Sequence, residues 1–488
     1  MPFGFNCHAP TDQSPNLPSE SQGSARADDV DQTVRALEPV EDDGAPAGEA
    51  KVRFAADALG FQSKLSSTSD SMVPRGTKLL ALFDNECRAR NGRASESSSG
   101  SSAALKFEAE EFSPKDNQTL ASMTAEAEAD PCLVRLDENR RLQLVDPNFD
   151  PSAATAGPGF SSLAVTNDAR ASEARHVIFS KALLAWDWFY SGVGLNSDVV
   201  VAIIDSGVLH THPDLAQNMW MDTDGSRGYD FVNRDTNPTD DNGHGTHCAG
   251  IVGARADNGV GVLGIAGNRV KIMGVKVLDN TGSGTEAQIV NGIRFATDRG
   301  AHVINLSLGG QFQSPALRDA MIYATTRGVV VIVAAGNDNV LIDDADLFYA
   351  PSGYSKEIPG ALSVGSVDAG SGARSVFSNY GTNYVWIAAP GSGGILSTYA
   401  GNGYTSLQGT SMAAPVVAGA AALLVGSFRS KSITYTPEQI VSLLTESARP
   451  VTALNTFFRS GATLDIERAA KLFYSRYVLS GDGGTEGL

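Results

Sequence analysis

Residues 199–205 read VVVAIID, a run of β-branched and apolar residues that ends on a carboxylate, Asp205. β-Branched side chains favour strands, and a run that is apolar at every position has no face to offer to water. It predicts a strand buried on both sides, of the kind found in parallel sheets covered by helices. The same signature recurs at 271–278 (KIMGVKVL), 302–308 (HVINLSL), 328–336 (GVVVIVAAG) and 361–367 (ALSVGSV). Helical stretches lie between them, as at 285–298 and 315–326. This alternation predicts an α/β fold, a three-layer α/β/α domain around a parallel sheet. Reactive side chains in such sheets sit beyond the carboxyl ends of the strands, and that is where the polar residues of interest fall here.

Three segments stand out. Asp205 closes the first strand. The segment 242–250 (NGHGTHCAG) places His244 where a helix begins, and 409–415 (GTSMAAP) places Ser411 at the start of an apolar helix. Taken singly, each has an ordinary explanation: a turn former, a metal ligand, a helix N-cap. Together they supply a hydroxyl, an imidazole and a carboxylate. A serine hydroxyl is a weak nucleophile at neutral pH and needs the imidazole as base. The imidazole needs the carboxylate to hold its tautomer and stabilise its protonated form. A fourth piece is Asn337, which ends VAAGN at 333–337. Its amide and the Ser411 N–H, at a helix N-terminus, are suited to hold a developing oxyanion.

The GHGTHCAG and GTSMAAP segments, and the chain order Asp205, His244, Ser411, resemble the subtilisin-like serine proteases, the subtilase family, over roughly residues 176–474. The resemblance implies a subtilisin-like domain and a serine endopeptidase that cleaves protein or peptide substrates through an acyl-enzyme. Ser411 would attack, His244 would act as base, Asp205 would orient it and Asn337 would hold the oxyanion. Ser307, Leu308, Gly309 and Gly310 match one substrate-binding edge; Gly282, Ser283 and Gly284 match the opposite one. Ala334, Ala335 and Gly336 match a wall of the primary specificity pocket. The acidic stretch with Asp338, Asp343, Asp344 and Asp346 suggests a taste for Lys or Arg before the scissile bond. Asp230, Asn233, Asp235, Asn237 and Thr239 match a calcium loop, and Asp214 a ligand of a second calcium site. Hard oxygen donors at this density suit that ion, in a structural role, and the chemistry needs no cofactor. Cys248 resembles the thiol of the branch that includes proteinase K, and is expected as a buried free thiol. A catalytically silent scaffold and a general acyl hydrolase are the competing readings. The complete triad and the peptide-binding edges speak against them.

The N-terminal third differs. Residues 1–76 are rich in Ser, Asp, Glu, Ala and Pro with little periodicity, and read as disordered. Residues 77–150 carry strand patterns at 78–83, 104–112 and 132–145 and a helix pattern at 119–129. This small α+β unit resembles a subtilase propeptide, which would make it the chain's own inhibitor and the protein a zymogen. Cys87 and Cys132 both fall in it and could pair in an oxidising compartment. Residues 151–175 read as a linker, with a cut expected between about 150 and 176, and 475–488 as a flexible tail.

The formal charge of −18 speaks against nucleic acid as a partner. A hydrophobic share of 42% suffices for a large core, and four cysteines do not make a disulfide scaffold. The longest apolar run, 412–426, is about 15 residues, short of the ~20 needed to cross a bilayer, so no transmembrane segment is expected. The first residues lack a signal-peptide pattern. The family resemblance nevertheless implies an extracellular or cell-envelope location, and a monomer.

Overall fold

In the computed structural model the 199–205 run is a strand with both faces covered. Val199, Val201 and Ile203 enter one hydrophobic core, and Ala202 and Ile204 enter the other. The structure describes residues 79–90, 107–113, 120–130, 132–139, 141–144, 166–343 and 347–479, all within one unit, Leu65–Leu488.

The N-terminal part holds β1 (Leu79–Asp84), α1 (Asn85–Arg90), β2 (Phe107–Phe112), α2 (Leu120–Glu128), β3 (Leu133–Glu138) and β4 (Arg141–Leu144). β1 pairs antiparallel with β2 on one side and β3 on the other. Met123 and Ala127 of α2 are buried. Cys87 and Cys132 form a disulfide that ties α1 to the start of β3. Beside it, the buried Arg88 pairs with Glu110 of β2 and with Asp130.

The main domain opens with α3 (Arg175–Phe179), α4 (Ala182–Trp186), β5 (Val199–Asp205), β6 (Gly228–Asp230), α5 (His244–Gly253) and β7 (Val270–Lys276). It continues with β8 (Ser283–Thr285), α6 (Glu286–Asp298), β9 (Val303–Leu306), β10 (Leu308–Gly309), α7 (Pro315–Thr325), β11 (Val330–Ala334) and β12 (Ala361–Asp368). It closes with β13 (Ile387–Ser392), β14 (Ile395–Tyr399), β15 (Gly403–Leu407), α8 (Thr410–Ser430), α9 (Pro437–Glu446), β16 (Arg449–Pro450), β17 (Ala462–Thr463) and α10 (Ile466–Tyr474). Among the described residues the central sheet has nine strands, in the order β16-β17-β13-β12-β11-β9-β5-β7-β6. Its pairings are parallel except β16 with β17. Helices α5, α8, α9 and α10 cover one face, and α6 and α7 the other. The strands obey the two-sided rule read from their composition: along β11, Val330, Ile332 and Ala334 face the first core, and Val331 and Val333 the second.

Helix α8 has 21 residues and is, among the described residues, the one helix long and apolar enough to cross a membrane. The apolar run at 412–426 understates it, so length does not exclude a span. Burial does: every residue from Thr410 to Phe428 is buried in the domain. Its apolarity reflects a central core helix in contact with the sheet.

Two expected boundaries move. Residues 166–175 are not a free linker: Ala171 and Ala174 enter the main core, and Asp168 accepts from the Asp257 and Asn258 N–H groups. Arg175 donates to the Gly393 carbonyl. Small residues suggest a linker by composition, yet alanine also packs where two elements approach closely. At the other end Ser475–Leu479 continues past α10, with Tyr477 packed on Phe428 and Phe473. The stretches 1–76, 93–102, 151–165 and 480–488 lie outside the described residues.

The core also encloses imidazoles. Burial pushes the pKa of His176 and of His302 down to about 4, and that of His247 to about 3. An unfolded histidine takes up its proton near pH 6.5. Below that pH the unfolded chain binds protons that the folded chain refuses. Stability is therefore full above about pH 6.5 and is lost as the pH falls toward 4. Thermal melts should show a midpoint that drops steadily from pH 7 to pH 4.5, with a shallower slope in His176→Leu. A flat midpoint over that range would contradict this origin.

Candidate active site

Strand β5 delivers Asp205 to the carboxyl edge of the sheet, where its side chain is fully buried. Asp205 Oδ1 accepts from the Ser206 N–H at 2.7 Å and meets His244 Nδ1 at 2.8 Å. His244 is the first residue of α5, and the Asn242 side chain accepts from its N–H. One helical turn on, the buried Cys248 places its sulfur 3.9 Å from His244 Nδ1 and 3.4 Å from the Ser411 carbonyl oxygen. The carboxylate, imidazole and thiol ligand atoms lie within 4.8 Å of one another.

Ser411 sits in the first turn of α8, the end at which helix N–H groups point outward. Its hydroxyl donates to the Ser307 carbonyl at 3.3 Å, and the Ser307 hydroxyl donates back to the Ser411 carbonyl at 2.9 Å. Among the described residues, the buried His244 Nε2 has no hydrogen-bond partner. The carboxylate–imidazole contact is thus closed, while the serine hydroxyl is turned toward Ser307. One χ1 rotation redirects such a hydroxyl, and these contacts commonly tighten only with substrate present.

Asn337 follows β11. Its Oδ1 accepts from both the N–H and the hydroxyl of Thr410, each at 2.9 Å. This fixes the amide with its Nδ2 toward Ser411. The point where a Cβ on Gly409 (φ +153°) would lie is 3.1 Å from Asn337 Nδ2 and 3.5 Å from the Ser411 nitrogen. Two N–H donors therefore converge on a space that glycine keeps open.

Burial opposes the His244 imidazolium, but the Asp205 carboxylate and, beside it, Cys248 together outweigh it and hold the His244 pKa well above its ordinary value. Burial pushes the Cys248 thiol up, against a smaller opposing pull from His244. The thiol is free, buried and protonated, and so a poor nucleophile, as expected.

The two expected substrate edges face each other across one strand. β4 runs antiparallel between β8 and β10. Leu142 lies opposite Gly284, Gln143 opposite Ser283 and Gly309, and Leu144 opposite Leu308. Gly282 precedes this ladder and Ser307 and Gly310 flank it. Ala334, Ala335 and Gly336 lead from β11 to Asn337, with the Gly336 N–H donating to Thr410 Oγ1 at 3.1 Å.

Asp338 lies near the Tyr349 hydroxyl and, after burial, helps push its pKa up, and Asp343 accepts from the Thr382 and Asn383 N–H groups. Asp344 and Asp346 lie outside the described residues. The Tyr349 ring, which no motif pointed to, packs against both walls: Cβ atoms on Gly309 or Gly336 would lie 2.8 or 2.9 Å from it.

The expected calcium ligands divide. In the 230–239 loop Asp230 accepts from the Val232 and Asn233 N–H groups, Asp235 from the Asn237 N–H, and Asn237 Oδ1 from the Thr239 hydroxyl. These oxygens are turned onto their own loop. Asp214 is different. It accepts from Asn258 Nδ2 and from the Val262 N–H, on the loop that Asp168 also caps. Burial, with the charge of Asp168 added, pushes the Asp214 pKa up to about 6. Two buried carboxylates that repel each other across one oxygen-rich loop fit a divalent cation. Asp168 carries no motif, and its position 46 residues before Asp214 gives no signal until the chain has folded.

The model of the Subtilase family matches residues 196–462, a span that contains Asp205, His244, Asn337 and Ser411. The chain belongs to the subtilase family. Its activity is that of a subtilisin-type serine endopeptidase. This subtilase is 40% identical over 277 residues to thermitase of Thermoactinomyces vulgaris, covering 57% of this chain and 88% of the relative. It is 40% identical over 276 residues to subtilisin DY of Bacillus licheniformis, covering 57% of this chain and 92% of the relative. Among solved structures, it is similar to a protease from Pseudoalteromonas arctica PAMC 21717, at 31% identity and a TM-score of 0.53. That match covers 63% of this chain and 99% of the other.

Proposed function

We propose that Asp205, His244 and Ser411 are the catalytic triad of this endopeptidase and that Asn337 is its oxyanion donor. The observation that carries this reading is the 2.8 Å Asp205–His244 bond beside the N-terminus of α8, with His244 Nε2 unpartnered among the described residues. Ser411 Oγ attacks the peptide carbonyl while His244 Nε2 takes its proton. The carbonyl oxygen, now an anion, lies between Asn337 Nδ2 and the Ser411 N–H. His244 then protonates the leaving amine, the C–N bond breaks, and an ester to Ser411 remains. Water, deprotonated by His244, hydrolyses that ester and restores the serine. Asp205 keeps Nδ1 protonated throughout. Asn337→Leu should lower kcat roughly 10²–10³-fold with KM little changed, the range established for this donor in the subtilisins. An unchanged kcat would remove Asn337 from the site.

The substrate would bind as β4 does, as an extended strand between Gly282–Gly284 and Ser307–Gly310, with Ala334–Gly336 and Tyr349 around the side chain before the scissile bond. On this reading β4 stands in for substrate and the unit from β1 to β4 is a propeptide that keeps a zymogen silent. The cut that releases it falls between Leu144 and Thr166, because Asp168 and Ala171 belong to the mature domain. The Cys87–Cys132 disulfide supports maturation in an oxidising, extracellular or cell-envelope compartment, where the enzyme works as a monomer.

Calcium is proposed as a structural ion held by Asp168, Asp214 and Asn258. The 230–239 loop, through Asp230, Asn233, Asp235, Asn237 and Thr239, is a second, weaker candidate. A bound cation would neutralise the two buried carboxylates. A ligand present at 100 times its Kd stabilises a fold by about 2.7 kcal/mol, so chelation should lower the melting temperature by roughly 5–10 °C. The effect should shrink below about pH 6, where Asp214 takes up its proton. A melting temperature indifferent to chelator at pH 7.5 would exclude the ion.

A further inference from the structure

Asp205 and His244 come from separate elements, and neither β5 nor α5 alone sets the distance between them. The group that spans the two is Asp240, which is 7% exposed and not part of the triad. Its Oδ1 accepts from the Ser206 hydroxyl at 2.9 Å, the Asn242 N–H at 3.0 Å and the Gly243 N–H at 2.8 Å. Its Oδ2 accepts from the Thr246 N–H at 2.8 Å and the Thr246 hydroxyl at 2.6 Å. Ser206 is the neighbour of Asp205 and donates its N–H to the Asp205 carboxylate. Its hydroxyl also accepts from the Gly245 N–H at 3.0 Å. Asn242, Gly243 and Thr246 bracket His244. One carboxylate therefore bolts the turn that carries the acid to the turn that carries the imidazole.

A second brace holds Ser206 from behind. The buried Lys276 Nζ donates to the Ser206 carbonyl at 2.8 Å, to the Leu278 carbonyl at 2.8 Å and to Asp241 at 2.6 Å. Five donors aimed at Asp240 leave its oxygens no capacity for a substrate or a water. An ionised carboxylate, which accepts at both oxygens, matches a ring made only of donors. An amide in its place would aim an N–H at other N–H or O–H groups.

We propose that Asp240 is a positioning residue, which acts through Ser206 and Thr246 to set the Asp205–His244 geometry on which turnover depends. The inference rests on the triad reading above. Misplacement of a reacting group by about 1 Å can cost 10²-fold in rate. The test uses enzyme produced from the full chain, with kcat and KM on a chromogenic peptide and a thermal melt for each variant. Asp240→Asn should lower kcat on the order of 10- to 100-fold with KM within about twofold. Ser206→Ala, which removes one strut, should give a smaller fall of the same kind, and the double variant should fall short of the product of the two. Should Asp240→Asn not fold, Ser206→Ala decides alone: a kcat reduced threefold or more at constant KM supports the proposal. A kcat within twofold of the parent in the folded variants, whatever the melting temperature, overturns it. An inactive parent enzyme would instead strike at the triad reading itself.

Discussion

Ser411→Ala is expected to lower kcat/KM on peptide substrates by at least about 10⁴-fold, in line with removal of the nucleophile from serine peptidases in general. The fold should hardly notice. The Ser411 hydroxyl makes a long 3.3 Å bond to the Ser307 carbonyl, and the loss of one such bond costs about 1 kcal/mol. Alanine is also a better helix residue than serine in the first turns of α8. Activity would therefore vanish at a near-constant melting temperature. The same variant reports on maturation. If the N-terminal unit is removed by the enzyme itself, purified Ser411→Ala stays at full length, with β4 retained between β8 and β10. Processing of the purified variant between Leu144 and Thr166 would assign the cut to another protease. Residual activity above a hundredth of the parent's would mean that Ser411 is not the nucleophile.

Asp205→Asn is expected to cost on the order of 10³–10⁴ in kcat, the scale seen when an amide replaces the triad carboxylate. Two effects combine. The amide can hold His244 in the wrong tautomer, and it no longer stabilises the imidazolium that forms during attack. The pH profile should change with it. In the parent, burial lowers the His244 pKa, and Asp205 together with Cys248 raises it by more. The acid limb of kcat/KM therefore lies above the ordinary imidazole range, and activity grows as the pH rises through it. Without the carboxylate the burial effect is opposed only by the Cys248 contact, so the limb of the residual activity should move to lower pH. A profile that stays in place would mean that another group sets the limb.

The two-layer burial of the strands was legible because its cause is local: a strand such as 330–334 can be apolar at every position only if neither face meets water. The starts of α5 and α8 were legible for a related reason. Glycine before His244 and before Ser411 breaks one element and lets a helix begin within a few residues. The lengths of elements were less so. The apolar run 412–426 is shorter than the helix that holds it: α8 extends from Thr410 to Ser430, because core packing, not composition, sets where it stops. The edge at 176 was misplaced because Ala171 and Ala174 look the same in a linker as in a tightly packed corner.

The acidic residues make the sharpest contrast. As a sequence, 338–346 looks like a cluster that would attract a basic side chain, and 230–239 like a nest of calcium ligands. Once folded, Asp338 and Asp343 answer a tyrosine hydroxyl and two backbone N–H groups, and Asp230 and Asp235 answer their own loop. Asp168 and Asp240, which carry no motif, are buried among donors from other turns. A carboxylate's partner depends on which donors lie within about 3 Å of it, and that is a property of space, not of spacing along the chain.

The order of residues alone determined the layered fold, the identity of the acid, imidazole, hydroxyl and amide, and the strand ends that carry them. Those follow from local patterns of apolarity and from glycine at the turns. Tertiary structure alone decided that Asp205 and His244 meet at 2.8 Å, that β4 lies between β8 and β10, and that Asp240 bonds the turns on both sides of the site. Each of these is a contact between segments far apart in the chain, and only closure of the whole core brings them within bonding range.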